Sequence, residues 1–145
     1  MLSDYFDYMA TTPVHPDVHA VMSRYLLSEH FFANPDSPHQ LGQTARSELA
    51  LLSKRFCGLL DVPDARVIWT SGASESINLV LKGAAYQYQH AGKHIISWNT
   101  EHSATLETLR ALEKQGYSVS ILPVKSDGLI DINSLAAAIR RDTIL

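Results

Sequence analysis

Apolar positions recur along this chain with two periods. Val18, Val21, Met22, Tyr25 and Leu26 follow Pro16 at helical spacing, and Pro16 suits the first turn of that helix. Leu41, Ala45, Leu49, Leu52, Phe56 and Leu60 form a second stripe and predict a helix from about Gln40 to Leu60. Asn34-Pro35-Asp36-Ser37-Pro38 interrupts both patterns and reads as a loop. The opening segment through Pro13 reads as extended. After Leu60 the rhythm alternates. Arg66–Thr70, His94–Trp98 and Tyr117–Leu122 read as strands, and Ser74–Gln89 and Ser103–Gln115 as helices. Asn133 is placed to open a last helix running through Arg140. Thr143, Ile144 and Leu145 look like a strand just starting. This βαβαβ order predicts an α/β fold with a mainly parallel sheet, preceded by a helical segment.

Composition narrows the class. The chain has 145 residues, 46% apolar and 19% charged, with a formal net charge of −3. No basic run suggests nucleic acid or an anionic membrane as partner. The single cysteine, Cys57, allows no intramolecular disulfide, which suits a reducing compartment. The N-terminus carries acidic residues and no long apolar run, so it does not read as a signal peptide. A cytoplasmic protein is the expectation. The bare apolar Thr143-Ile144-Leu145 ending reads as a cut rather than a natural domain end.

Four segments carry candidate chemistry. In Trp69-Thr70-Ser71-Gly72-Ala73-Ser74-Glu75-Ser76 a strand gives way to a helix. Gly72 permits a tight turn. The amides of Ala73 and Ser74 lie at the positive end of the helix, and hydroxyls of Ser71, Ser74 and Ser76 can add donors. That is a site for a phosphate or another anion. The plainer alternative is that Ser71 caps the helix, and Glu75 opposes an anion unless its carboxylate points away. Thr100-Glu101-His102-Ser103 follows the next strand. Ligands of open parallel sheets bind outside the carboxyl ends of strands, so both loops could face one crevice. There the His102 imidazole could stack on an aromatic ligand or move protons, against a default role at the surface or as a helix cap. Asn34–His39 is a polar loop, and Ala10-Thr11-Thr12-Pro13 fits either a pocket-lining strand or a free arm.

Other chemistries are disfavoured. His15 and His19 have i, i+4 spacing, but Pro16 disfavours the helical region at His15. No HExxH, paired CxxC or GxGxxG is present, so neither a metal site nor a dinucleotide site is expected. Cys57 lies beside the apolar stripe and reads as a packing residue rather than a nucleophile.

Together the segments resemble the cysteine desulfurases, within the class V aminotransferase family of fold type I pyridoxal-phosphate (PLP) enzymes. The resemblance rests on YFDYMATTPVHPDV, NPDSPHQLG, IWTSGASESINLVLKGAA and the run from KHIISWNTEHSATLETLRALEKQGYSVSILPVKSDGLIDINSLAAAIRRDTIL, in order along nearly the whole chain. It implies that residues 1–62 form an N-terminal arm and helices, and that 63–145 form the first part of a PLP-binding large domain, truncated at its C-terminus. It implies that Gly72, Ala73 and Ser74 bind the PLP phosphate, with Ser74 standing where the family usually has Thr. His102 would cover the pyridine ring and shuttle protons, and Ala10, Thr11, Asn34 and His39 would line the substrate pocket. Full-length relatives take sulfur from L-cysteine, giving L-alanine and an enzyme persulfide, for iron–sulfur cluster or thio-cofactor assembly. The implied partners are L-cysteine, a sulfur acceptor or scaffold protein, and a second subunit. The family's PLP lysine, its pyridine aspartate, its persulfide cysteine and its carboxylate-binding arginine belong to motifs beyond Leu145. The chain alone is therefore expected to be inactive. A selenocysteine lyase, an aminotransferase of the same fold and a non-enzymatic remnant stay open at this point. In relatives the large-domain sheet is mixed and seven-stranded. Its first strand, here Arg66–Thr70, pairs with the last strand of that sheet and not with His94–Trp98.

Overall fold

In the computed structural model, residues 4–145 are described; Met1, Leu2 and Ser3 of the opening segment lie outside the described residues. The chain divides into two compact units, one running up to Ile68 and the other from Trp69 to Leu145.

The first unit holds α1 (Pro16–Leu26) and α2 (Gln40–Leu59). His15 sits in extended backbone before Pro16, as a pre-proline residue should, and its Nδ1 caps α1 by accepting from the Asp17 amide at 3.3 Å. His39 caps α2 in the same way, accepting from Gly42 N at 3.2 Å. Tyr25 Oη donates to Glu48 Oε1 at 2.7 Å, joining the two helices. That bond, to an acceptor that is itself a carboxylate, raises the Tyr25 phenol above its ordinary range. The apolar stripe of α1 is not buried: Val18, Val21, Met22 and Leu26 are all exposed. The opening segment is not uniformly extended either. A turn closes when Ala10 N donates to Asp7 O at 3.0 Å, and the Tyr5 hydroxyl contacts both Asp7 O (2.9 Å) and Thr11 O (3.2 Å).

The second unit runs α3 (Ala73–Tyr88), β1 (His94–Trp98), α4 (Ser103–Glu113), β2 (Ser118–Leu122) and α5 (Ile132–Ala138). β1 and β2 are parallel, in register from His94 opposite Ser118 to Trp98 opposite Leu122. The other edge of β1 takes Thr143 in a parallel bridge. His94 N donates to Asp142 O (3.0 Å), Ile144 N to His94 O (2.9 Å) and Ile96 N to Leu145 O (2.9 Å). The strand expected to start at Thr143 is thus already docked. Ile95 on β1 packs with Ala85 of α3 and with Leu109 and Leu112 of α4, all buried to within 2% exposure. Leu81, Tyr117, Val119 and Ile144 close around them. Burying each of the three larger side chains contributes about 1.5–3 kcal/mol.

Two expectations are corrected. Arg66–Thr70 is not a strand: no described residue pairs with it in a ladder, and Ile68 is 63% exposed. A β-rich run remains irregular without a neighbour for its backbone groups, and the resemblance puts that neighbour outside these residues. The cap of α5 is Asp131, not Asn133. Asp131 Oδ1 accepts from Asn133 N at 3.2 Å and Oδ2 from the Ser134 hydroxyl at 2.7 Å. The Ser134 hydroxyl chiefly holds the Asp131 carboxyl below its usual range.

His94 is wholly buried at the middle of this sheet. Its Nδ1 lies 2.7 Å from Thr143 Oγ1 and its Nε2 2.8 Å from Ser120 Oγ, so the ring ties β1 to both neighbouring strands. A neutral ring satisfies both contacts, because each hydroxyl can donate or accept. Burial, then the nearby Arg140 charge, lower the His94 pKa from its ordinary 6.5; Asp142 opposes them in part. The unfolded chain therefore binds this proton more readily than the folded one. The stabilisation is complete above about pH 6.5 and is lost as pH falls below that value. Glu75 and Asp131, with lowered carboxyls, act only in the more acidic carboxylate range. Thermal midpoints measured at pH 7.5 and 5.5 should drop by a few degrees at the lower pH, and His94→Gln should largely remove that drop.

Candidate functional site

Two loops of the second unit carry the candidate chemistry. The first leads into α3. Gly72 is the N-cap residue, with φ 158° and ψ −176°, and no side chain caps the helix. The amides of Ala73 and Ser74 find no acceptor among the described residues. They stand at the positive end of a 16-residue helix. No heavy atom lies within 4 Å of where a Cβ would project from Gly72, so the space outside the turn is clear.

Neighbouring side chains leave that space free. Ser71 N donates to Glu75 Oε2 at 2.6 Å, and the Ser71 hydroxyl donates to the same oxygen at 2.7 Å. These two bonds, the backbone one first, hold the Glu75 carboxyl below the usual carboxylate range. Glu75 thus folds back over Ser71, and Ser71 does not cap the helix. Ser76 Oγ lies 2.7 Å from Thr70 Oγ1, which donates to Gly72 O at 3.2 Å. Of the three serine hydroxyls considered as anion donors, those of Ser71 and Ser76 are engaged within the turn. The hydroxyl of Ser74 has no partner among the described residues. The pairings Ser71–Glu75 and Thr70–Ser76 were not foreseen; their only sequence signal is a hydroxyl residue four or six places ahead of its partner.

The second loop joins β1 to α4. Asn99 N donates to Leu122 O at 2.9 Å, and Val124 N to Asn99 Oδ1 at 3.3 Å, so the carboxyl ends of β1 and β2 are tied together. His102 is the N-cap of α4, its Nδ1 accepting from Ala104 N at 3.1 Å. An accepting Nδ1 places the proton of the neutral ring on Nε2, the nitrogen left for a ligand. His102 is exposed. The cap role and a ligand role therefore use different nitrogens of one ring.

An open cleft of about 440 Å³ separates α3 from β1 and the start of α4, lined by Ile77, Val80, Leu81, Ile96 and Trp98 with Ser76, Ser97, Glu101 and Thr105. Its rim takes in Ser76 from the first turn of α3, Glu101 just before His102, and Thr105. Gly72, Ala73, Ser74 and His102 themselves do not line it.

The remaining candidates lie in the first unit. Ala10 and Thr11 are exposed beside the Asp7–Ala10 turn. Asn34 shapes its loop: Asp36 N donates to Asn34 Oδ1 (2.9 Å) and Ser37 N to Asn34 O (3.0 Å). Arg46 Nε donates to Pro35 O at 2.8 Å and Gln43 Nε2 to Pro38 O at 3.0 Å, which strap the loop to α2. His39 serves as the α2 cap. Among the described residues, no group of three or more His, Cys, Asp or Glu is placed to hold a metal ion. No helix among them is long and apolar enough to cross a membrane.

The model for the family described as "Aminotransferase class-V" matches residues 4–145. The chain belongs to the class V aminotransferase family. Cysteine desulfurase IscS of Photorhabdus laumondii is 46% identical over 142 residues, which are 97% of this chain and 35% of the relative. Cysteine desulfurase IscS of Proteus mirabilis is equally similar over the same span. Among solved structures, a NifS-like protein superposes with a TM-score of 0.85 at 31% identity, covering 92% of this chain and 36% of its own. SspA, solved in complex with cysteine, gives 0.79 at 34% identity, covering 96% and 40%. This class V aminotransferase chain spans about a third of the length of the curated relatives it matches. The class V aminotransferase and cysteine desulfurase family is PLP-dependent.

Cys57 does not offer an alternative nucleophile in this family member. It is 3% exposed, and its Sγ–H donates to Ala65 O at 3.3 Å. Thiol-directed alkylation followed by mass spectrometry should label it on the order of a hundredfold more slowly in the folded chain than in denaturant, because labelling needs local opening.

Proposed function

We propose that this chain is the N-terminal part of a PLP-dependent cysteine desulfurase, supplying the phosphate cradle and the ring-covering imidazole. The carrying observation is the start of α3. There, the amides of Ala73 and Ser74 and the Ser74 hydroxyl have no partner among the described residues, at a positive helix end with Gly72 open and Glu75 turned back onto Ser71. That donor set suits a phosphate monoester, which brings negative charge and several acceptor oxygens. When bound, PLP supplies an electron sink for bonds at the α-carbon of an amino acid. Ala73 and Ser74 would hold its phosphate. His102, fixed through Nδ1, would present its ring face and Nε2, available for stacking and for proton exchange. L-cysteine as the amino acid is favoured by the 46% identity to IscS and by the likeness to SspA, a protein solved with cysteine bound. Alanine and a sulfur atom bound for cluster or thio-cofactor assembly are the corresponding products. Lys82, Lys93, Lys114 and Lys125 lie in contexts unlike the family's lysine motif, so this chain alone is proposed to be inactive.

A chimera tests this reading. Residues 1–145 replace the matched segment of the Photorhabdus IscS relative, and alanine release from L-cysteine is followed with added PLP. The chimera should be active. Ser74→Thr should retain PLP binding. Ser74→Asp, setting a carboxylate against the phosphate, should weaken it tenfold or more, equivalent to about 1.4 kcal/mol. A folded chimera that holds PLP equally well with Ser74→Asp would overturn the phosphate assignment.

A further inference from the structure

β1 ends at a residue whose side chain takes over a backbone bond. Along the β1–β2 pair, odd-numbered positions on the β1 side exchange backbone bonds with even-numbered residues of β2. Ser118 N donates to Lys93 O at 2.8 Å at one end, and Asn99 N to Leu122 O at 2.9 Å at the other. One further step of this parallel ladder would bring Val124 N to the Asn99 carbonyl, at the offset that relates Ser118 to Lys93. Val124 N donates instead to the Asn99 side chain, at Oδ1, 3.3 Å away. Pro123, the residue between, has no N–H to offer. The side chain of Asn99 thus stands in for its own carbonyl. Released from the ladder, the backbone folds at once into a turn, Glu101 N donating to Trp98 O at 3.3 Å. Asparagine suits such a place, because its short amide can bond to backbone while its own main chain turns.

His102 follows directly on that turn. Downstream it is fixed to α4: its Nδ1 accepts from Ala104 N at 3.1 Å, and its carbonyl accepts from Thr105 N at 2.9 Å and Leu106 N at 3.2 Å. Upstream, only Thr100 and Glu101 separate it from Asn99. We propose that Asn99 is a positioning residue for His102: its side-chain bond to Val124 N fixes where the chain leaves the sheet, and through that the stance of the imidazole. This rests on the ring-covering role proposed for His102 above. Asn99 acts through the loop, without touching cofactor or substrate. Its side chain is exposed, so the core of the unit does not depend on it.

Two substitutions test this. Asn99→Ala removes the acceptor, and Asn99→Asp keeps an oxygen in its place. In the 145-residue chain without PLP, amide hydrogen exchange followed by NMR reads both sides of the loop: Val124 N–H, and the Ala104 N–H that His102 caps. Asn99→Ala should quicken both about fivefold, and Asn99→Asp should hold both within about twofold of the unsubstituted chain. The amides of Ile95 and Leu109 in the core should not change. Quickening at Val124 alone would reduce Asn99 to the end of a strand and overturn the proposal, as would equal quickening in the core. In the IscS chimera loaded with PLP, the visible circular dichroism of the bound cofactor reports what lies against its ring. Asn99→Ala should change that signal in the same sense as His102→Ala does, and Asn99→Asp should restore it. A signal that moves with His102→Ala but not with Asn99→Ala removes this inference and leaves the ring-covering role standing. One that His102→Ala does not move removes both.

Discussion

The second unit depends on β1 being paired along both edges at once. Its odd-numbered backbone groups serve β2 and its even-numbered ones the Asp142–Leu145 segment. With three strands held in one layer, Ile95, Val119 and Ile144 pack with residues of α3 and α4. Remove either edge and the apolar face narrows to a hairpin-sized strip, which is marginal in water. The wholly buried His94 belongs to the same constraint. It sits where both neighbouring strands can offer it a hydroxyl, from Ser120 and from Thr143, so a polar ring joins three strands without leaving an unsatisfied nitrogen.

Much of this was legible in the residues. HIISW is short, apolar and β-branched, and it became a strand with the bounds expected. Helices α2, α3 and α4 start and end within about two residues of what periodicity gives. The failures have a shared cause. RVIWT has the same local character as HIISW, yet it forms no ladder, because strand formation requires a partner that propensity cannot supply. The α1 stripe has the right spacing for burial and is exposed, since the stripe records what the helix is suited to cover, not whether a cover is present. Asp131 rather than Asn133 caps α5 for a more local reason: two good capping residues stood two places apart, and only geometry separates them.

The candidate site was legible at the level of loops and not of roles. Both Gly72–Ser74 and His102 fall at junctions into helices, as the pattern indicated. Three histidines, His15, His39 and His102, turn out to cap helices through Nδ1. Sequence alone treats a histidine after a strand as either a cap or a ligand-facing group. In His102 these roles do not compete. The cap consumes Nδ1, fixes the tautomer and holds the ring at the loop, and that is the arrangement a ring-covering imidazole with a usable Nε2 needs.

The start of α3 shows the same economy. A helix that opens without a side-chain cap leaves its first amides unsatisfied, which is a cost in an isolated domain. Here the natural candidates for that role are turned elsewhere: Ser71 to Glu75, and Ser76 to Thr70. Both pairings stiffen the turn while leaving the amides of Ala73 and Ser74 bare. Had Ser71 capped the helix, its oxygen would occupy the position an anion needs. Had Glu75 faced outward, its charge would repel that anion. These exposed amides are open to water and, on the reading proposed above, to a phosphate group, whose charge and acceptor count suit what is left open.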